Sequence, residues 1–296
     1  MVNGIIILYK PVNMSSAKAT GYIKSRFSAE KCGHTGTLDP LAEGVLPVLL
    51  NKATKAIPYL GNEIKGYLVK CRLGLATDTF DMGGTIIAEN STYMPSMGEI
   101  ENVVSNYTGE VELDIPIYSA IKINGVRAYK LARQAQIDSC GKRLSNIHDL
   151  EIVNYKYPFL TLMVRCSKGT YIRSLVKHIG EDLKTYATVV NLIRVHDGKF
   201  SIEKSVKLEE IKTSKDPLQY VFRVEEFLDL PEAVVKDSAI KKISNGLSPM
   251  KFDYLYLPVD NKEICAIYDS SKRLLCIARK NNAFEEIPYK IEKVIV

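Results

Sequence analysis

The chain has 296 residues, 46% hydrophobic and 25% charged, an ordinary globular composition that sets aside disordered and collagen-like classes. Forty Lys and Arg against 34 Asp and Glu leave a net charge of +6, a mild basic bias that suits a polyanionic partner without specifying one. Cys32, Cys71, Cys140, Cys166, Cys265 and Cys276 show no CxxC spacing and no flanking His cluster, so neither a zinc site nor a disulfide framework is expected. With no basic leader and no apolar run of membrane-spanning length, the sequence points to the cytosol.

In chain order, GIIILYKP reads as a short buried strand ended by Pro11. MSSAKATGYIKSRF then offers Ser15 or Ser16 as the N-cap of a helix. A glycine-rich loop around Asp39 leads into GVLPVLL, a buried strand, and KATKAIPYL begins another helix. KGYLVKCRLGLATDT alternates as a strand does, with Tyr67, Val69 and Cys71 on one side and Leu68, Lys70 and Arg72 on the other. MGEIENVVSNYTGEVE has helical spacing at Ile100, Val103, Val104 and Tyr107, and GVRAYKLARQAQ is a second, basic helix. FLTLMVRCSKGTYIRSLVKHIGEDL is a strand, a turn at Gly169 and a helix. Strands and helices mix without the regular alternation of a doubly wound sheet. The expected fold class is therefore α+β, with a mixed, largely antiparallel sheet flanked by helices. From about Leu208, polar and acidic stretches closing at Pro231 read as a connector. Beyond it YLPV, EICAIYD and LLCIARK are short strands, which predicts a small β-rich domain over residues 231–296 behind a larger domain over residues 1–230.

Asp39 lies in GHTGTLDPL, where Asp-Pro is a common turn opener because the Asp side chain bonds its own backbone. Its company supports a second reading. Gly33 and Gly36 let the backbone approach a ligand, His34 and Thr35 add polar groups, and Pro40 with the strand after Gly44 stiffens the loop, as a reactive carboxylate requires. CSKGTYIRSL groups Lys168, Tyr171 and Arg173 around a glycine turn. This is either a plain strand–turn–helix, or a ring that stacks on a base beside a guanidinium that pairs with carboxylate or phosphate. Tyr67 by itself is a packing residue with its hydroxyl at the rim. IYSAIKINGVRAYKLARQ interleaves Lys122, Arg127, Lys130 and Arg133 with Tyr118 and Tyr129, giving either a solvated helix face or a phosphate-contacting surface.

Taken in order, GHTGTLDPLAEGVLPV, YSAIKINGVRAYKLAR and CSKGTYIRSL closely resemble the TruB family of bacterial tRNA pseudouridine synthases. GIIILYKPVNMSS resembles that family's N-terminal Lys-Pro motif and GLATDTFDMGG its Thr-Asp-Thr segment, so the resemblance spans nearly all of residues 3–200. AIYDSSKRLLCIARK is similar, on composition, to the small β-barrel PUA domain. The resemblance implies the pseudouridine synthase fold and a reaction without cofactor or metal. The uridine at tRNA position 55, in the TΨC loop of the T arm, becomes pseudouridine by glycosidic cleavage, rotation of uracil and C5–C1′ bond formation.

The resemblance also implies roles. Asp39 is the catalytic carboxylate, either a nucleophile at C1′ or a base at C2′, and Arg173 is its counter-charge. Tyr67 packs on the target base and Tyr171 is the second aromatic; one of them helps remove the C5 proton, with Tyr67 favoured. Leu192 is an apolar wall, and His34 stacks where the flipped base had been. Lys10 supports the loop or contacts phosphate. Lys122, Arg127, Lys130 and Arg133, with Lys236, Lys241 and Lys242, grip the RNA backbone. The implied protein is a cytoplasmic monomer that acts on tRNA and not at a membrane. Cys32, Glu43, Gly66 and Ile193 depart from the family's usual residues, and none of these is Asp39, Tyr67, Tyr171 or Arg173. The competing readings are a non-catalytic tRNA-binding protein using the same groove, and a glycosidase, which lacks an obvious second carboxylate beyond Asp78 or Asp81.

Overall fold

The first strand explains the architecture. In β1 (Gly4–Lys10) the run Ile5–Leu8 is wholly buried, yet alternate residues enter different cores: Ile6 and Leu8 join one cluster, Ile5 and Ile7 another. An extended strand points successive side chains to opposite faces, so an unbroken apolar run marks a strand covered on both sides. The computed structural model describes residues 2–61, 63–90, 92–119, 121–123, 125–134, 136–137, 139–258 and 262–296, leaving aside the side chains of Tyr129, Lys130 and Arg133.

After β1 come β2 (Cys32–His34), β3 (Glu43–Leu50), β4 (Ile64–Leu73), a hairpin of β5 (Leu75–Thr77) and β6 (Ile86–Glu89), and β7 (Gly109–Asp114). A two-stranded ribbon of β8 (Lys122–Ile123) and β9 (Val126–Arg127) precedes β10 (Lys142–Lys156), β11 (Phe159–Ser167), β12 (Ala187–Asp197), β13 (Phe200–Ser201) and β14 (Val206–Lys207). The main sheet runs β14-β1-β3-β12-β4-β11-β10-β7, with β2 on β3 and β13 on β12. Its pairs are antiparallel except β1/β14 and β3/β12, as the α+β reading requires.

Helices α1 (Ser16–Arg26), α2 (Met97–Ser105) and α4 (Ile172–Asp182) put Ala19 and Ile23, Ile100 and Val104, and Leu175 and Ile179 into the first core. Between α2 and α4 lies the short α3 (Ala128–Arg133). Ser15 caps α1 by accepting from Lys18 N at 3.2 Å, and Ser96 with Glu99 forms a capping box on α2.

The opposite face is covered by the carboxyl-terminal third. There β15 (Glu232–Val235), β16 (Tyr254–Tyr256), β17 (Ile264–Tyr268), β18 (Leu274–Lys280) and β19 (Tyr289–Val294) form a five-stranded sheet in the order β16-β15-β17-β18-β19, the small β unit expected there. Lys272 occupies the tight-turn position before β18 with φ +60°, a backbone conformation that favours glycine.

Four expectations change. KATKAIPYL lies within a 3₁₀ run, Asn51–Tyr59, rather than an α-helix: Leu50 supplies no side-chain cap and Pro58 has no N–H to donate. The basic helix expected over 126–134 is cut short because Val126 and Arg127 pair with Ile123 and Lys122. The long strand β10 and the central strand β12 were not expected from the sequence. The connector is part of a core. Phe222 exchanges backbone hydrogen bonds with Ile5 at 2.9 and 2.8 Å, and Phe227 stacks on Phe200 with centroids 4.5 Å apart. Ile5, Ile7, Val45, Leu49, Val224 and Phe227 share one cluster with Ala266, Ile277 and Ile295 of the small sheet.

Candidate active site

Asp39 sits in the loop from β2 to β3, held from both directions. Ser16, the first residue of α1, donates its hydroxyl to Leu38 O (2.9 Å) and accepts from Leu38 N (2.8 Å), gripping the residue before Asp39. Ala42 N donates to Asp39 O at 3.1 Å, and Asn13 N to Pro40 O at 2.8 Å. The 11–14 segment is in turn fastened by Lys10, whose ammonium donates to Pro11 O (2.9 Å) and Met14 O (2.6 Å). Lys10 has no exposed surface, so of its two expected roles phosphate contact is corrected and loop support is kept. Burial pulls the Lys10 ammonium down to about 8, against the attraction of Asp39 and Glu43.

Arg173 reaches Asp39 from α4. The chain enters that helix through Gly169 at φ +82° and Tyr171, which is still extended at the N-cap. This places a buried Arg173 where Nη2 meets Asp39 Oδ2 at 2.9 Å and Nη1 meets Asp81 Oδ2 at 3.4 Å. The same guanidinium donates to Thr79 O at 2.9 Å and Tyr118 O at 3.1 Å, so four acceptors fix it. Asp81 is itself held by Thr79 Oγ1 (2.8 Å) and Gly83 N (2.9 Å).

A hollow of about 540 Å³ opens beside this pair, and Asp39, Tyr67, Tyr171, Arg173 and Leu192 all line it. Tyr67 on β4 lies between partners on β11 and β12, Val164 and Arg194. Burial pushes its phenol up to about 12 while the adjacent Arg194 opposes the shift, so the ring holds its proton at neutral pH. Burial also raises the Tyr171 phenol.

Beneath the hollow is an apparatus that sequence reasoning missed. Asp197, with no exposed surface, accepts from Lys65 Nζ at 2.7 Å and Thr35 Oγ1 at 2.6 Å, and Arg194 Nη2 lies 3.6 Å away. Arg194 also donates to Val45 O (2.8 Å) and Gly36 O (3.0 Å). The Asp39 loop, β3, β4 and β12 are thus joined by one buried charge cluster. Burial, then Arg194, pushes the Lys65 ammonium below its ordinary value, and Asp197 pulls it back. Gly44, at φ +100°, makes the parallel pairing of β3 and β12 possible, since a Cβ there would lie 2.3 Å from Arg194 O. Lys65 and Asp197 are cross-strand partners 132 residues apart, a pairing that no local pattern announces.

His34 does not join the first hollow. It lines a second, of about 900 Å³, with Ser15, Asp78, Tyr118 and Arg127. Asp39 and Arg173 line both, so the carboxylate stands on the ridge between them. Burial, then Arg194, lowers the His34 imidazole, and its buried Nδ1 has no hydrogen-bond partner. Lys122 and Arg127 are exposed and face each other across the ribbon, whereas the side chains of Lys130 and Arg133 lie outside the described residues. Lys236 and Lys241 are exposed, but Lys242 is committed to Asp253 at 3.0 Å. No metal-ligating group of three or more His, Cys, Asp or Glu exists among the described residues, and no described helix is long and apolar enough to cross a membrane.

The fold is that of pseudouridine synthases. The crystal structure of a Cbf5-Nop10-Gar1 complex superposes with a TM-score of 0.73 at 25% identity, covering 99% of this chain and 85% of that one. The profile of the TruB family pseudouridylate synthase N-terminal domain matches residues 24–172. The tRNA pseudouridine synthase B of Clostridium kluyveri is 36% identical over 296 residues, the whole of both chains. That of Caldicellulosiruptor saccharolyticus is 39% identical over 245 residues, 83% of each. The chain belongs to the TruB family of pseudouridylate synthases.

Proposed function

We propose that this protein isomerises uridine to pseudouridine in tRNA, at position 55 of the T arm, with Asp39 as the catalytic carboxylate. The observation that carries the reading is Asp39 paired to Arg173 at 2.9 Å on the wall of a hollow also lined by Tyr67, Tyr171 and Leu192. A target uridine inside a folded RNA loop must be turned out of its stack, at a cost of a few kcal/mol, before a carboxylate can reach its sugar. Asp39 then acts as nucleophile at C1′ or as base at C2′, the glycosidic bond breaks, and uracil rotates between Tyr67 and Leu192 to present C5. As C5 bonds to C1′ its proton is lost, and N1 ends protonated. Arg173 suits this sequence because Asp81 and two carbonyls hold it while Asp39 engages the sugar. Tyr67 enters as a neutral phenol, so any role in C5 deprotonation requires the phenol to be polarised, with Arg194 the adjacent cation.

On this reading His34 and the exposed Lys122 and Arg127 meet RNA beside the second hollow, and residues 231–296 act as an RNA-binding unit. The protein works as a monomer in the cytoplasm and needs no metal. The test is incubation with an unmodified tRNA transcript, followed by chemical derivatisation and primer extension. A derivatisation stop at position 55 is expected. An unmodified T arm after prolonged incubation with stoichiometric protein would sink the proposal.

A further inference from the structure

Five cationic side chains line the first hollow: Lys65, Arg143, Lys168, Arg173 and Arg194. Four already have a carboxylate partner. Lys65 and Arg194 share Asp197, Lys168 meets Glu63 at 2.5 Å, and Arg173 meets Asp39 at 2.9 Å. Arg143 alone among them has no carboxylate within ion-pair distance among the described residues. It projects from the exposed stretch of β10, where Arg143 pairs with Leu113 of β7, to the rim near Tyr171.

Its position is built. A Cβ placed on Gly169 would lie 2.7 Å from Cζ, Nη1 and Nη2 alike, so the guanidinium rests flat against the bare α-carbon of that glycine. A face-on contact with a carbon uses none of the fork's N–H donors. A planar fork with an uncommitted edge matches two oxygens of a phosphodiester, and a lysine could not reproduce that geometry.

We propose that Arg143 is a substrate-binding residue that clamps a backbone phosphate adjoining the flipped uridine as its base enters the hollow. This rests on the reading that the hollow receives an RNA nucleotide. Holding that phosphate at the rim fixes the ribose over Asp39, while the other four cations stay committed to shaping the site.

The experiment uses the full chain with T-arm RNA hairpins carrying a single neutral methylphosphonate at each linkage around the target uridine. Filter-binding Kd and pseudouridine formation are measured for wild type, Arg143→Ala and Arg143→Lys. Wild type is expected to lose about ten- to a hundredfold in affinity at one linkage, the range for a charge-assisted bidentate contact. Arg143→Ala loses a similar factor on unsubstituted RNA and becomes insensitive to that linkage, Arg143→Lys falls between, and the log–log salt slope of the Ala variant drops by about 0.7 to 1. The proposal is overturned if Arg143→Ala binds unsubstituted RNA as wild type does, if it stays as sensitive to every linkage, or if wild type binds no hairpin. A wild type that shows the linkage coupling but makes no pseudouridine would sink the catalytic reading and leave the phosphate contact standing.

Discussion

Asp39 and Asp197 both meet an arginine; Asp39 belongs to the loop between β2 and β3, and Asp197 is bonded to that loop through Thr35. Asp197 is closed to solvent and takes Lys65, Thr35 and Arg194 as partners. Asp39 keeps 37% of its side chain exposed and has one ion-pair partner among the described residues, Arg173. A buried charge is tolerated only when paired and hydrogen-bonded, and once so paired it is fully occupied. A half-exposed carboxylate beside a guanidinium that is anchored elsewhere can exchange its partner for a substrate. The floor of the hollow holds and the wall reacts, although both are built from an Asp and an Arg.

The contrast can be broken by substitution. Asp39→Asn should lower tritium release from C5-labelled uridine in tRNA by at least about a thousandfold, leave tRNA affinity within a few-fold, and change stability by less than about 1 kcal/mol. Undiminished release from purified variant would remove Asp39 from the chemistry. Asp197→Asn should do the reverse in kind. It leaves the Lys65 ammonium buried beside Arg194 without its counter-charge, and urea unfolding should show a loss of about 3–5 kcal/mol. A midpoint like that of wild type would mean that the floor cluster holds nothing together.

Two smaller effects sharpen the comparison. Ser16→Ala removes both contacts to Leu38 and should cost about 1–3 kcal/mol, with kcat falling more than KM rises because the loop that aims Asp39 slackens. A pure KM effect would count against that role. Lys10 supplies the pH test. Its folded pKa, about 8, lies below the ordinary lysine value of 10.5, so from pH 8 to 10.5 the unfolded chain binds more protons than the folded one, and stability should rise with pH across that window. Below pH 8 Lys10 is charged in both states and contributes no slope. The difference in unfolding free energy between wild type and Lys10→Met should grow in favour of wild type from pH 8 to 10.5, and a flat difference would show that the ammonium is not held in a desolvated place.

Much of the site was legible in the sequence because its members sit in short segments whose local chemistry is unusual. Asp39 lies between glycines and a proline, and Tyr171 and Arg173 follow a glycine turn into a helix. The second hollow was not legible: His34 ends β2 and Thr35 follows it directly, and the alternation of side chains in extended chain sends the two to different places. Nor was the connector, where Phe222 and Phe227 are spaced among charged residues that hide their burial.

The sequence alone determined the buried strand β1, the stiff loop under Asp39, the helix that presents Arg173 and the membership of the TruB family, because each depends on neighbours in the chain or on motif order. Only the tertiary structure decided that Lys65 meets Asp197, that Arg194 braces both loop and Tyr67, that Lys10 is buried, and that Arg143 has no carboxylate partner among the described residues. Those facts depend on strand register between segments far apart in the chain, and on which charges the fold happens to neutralise.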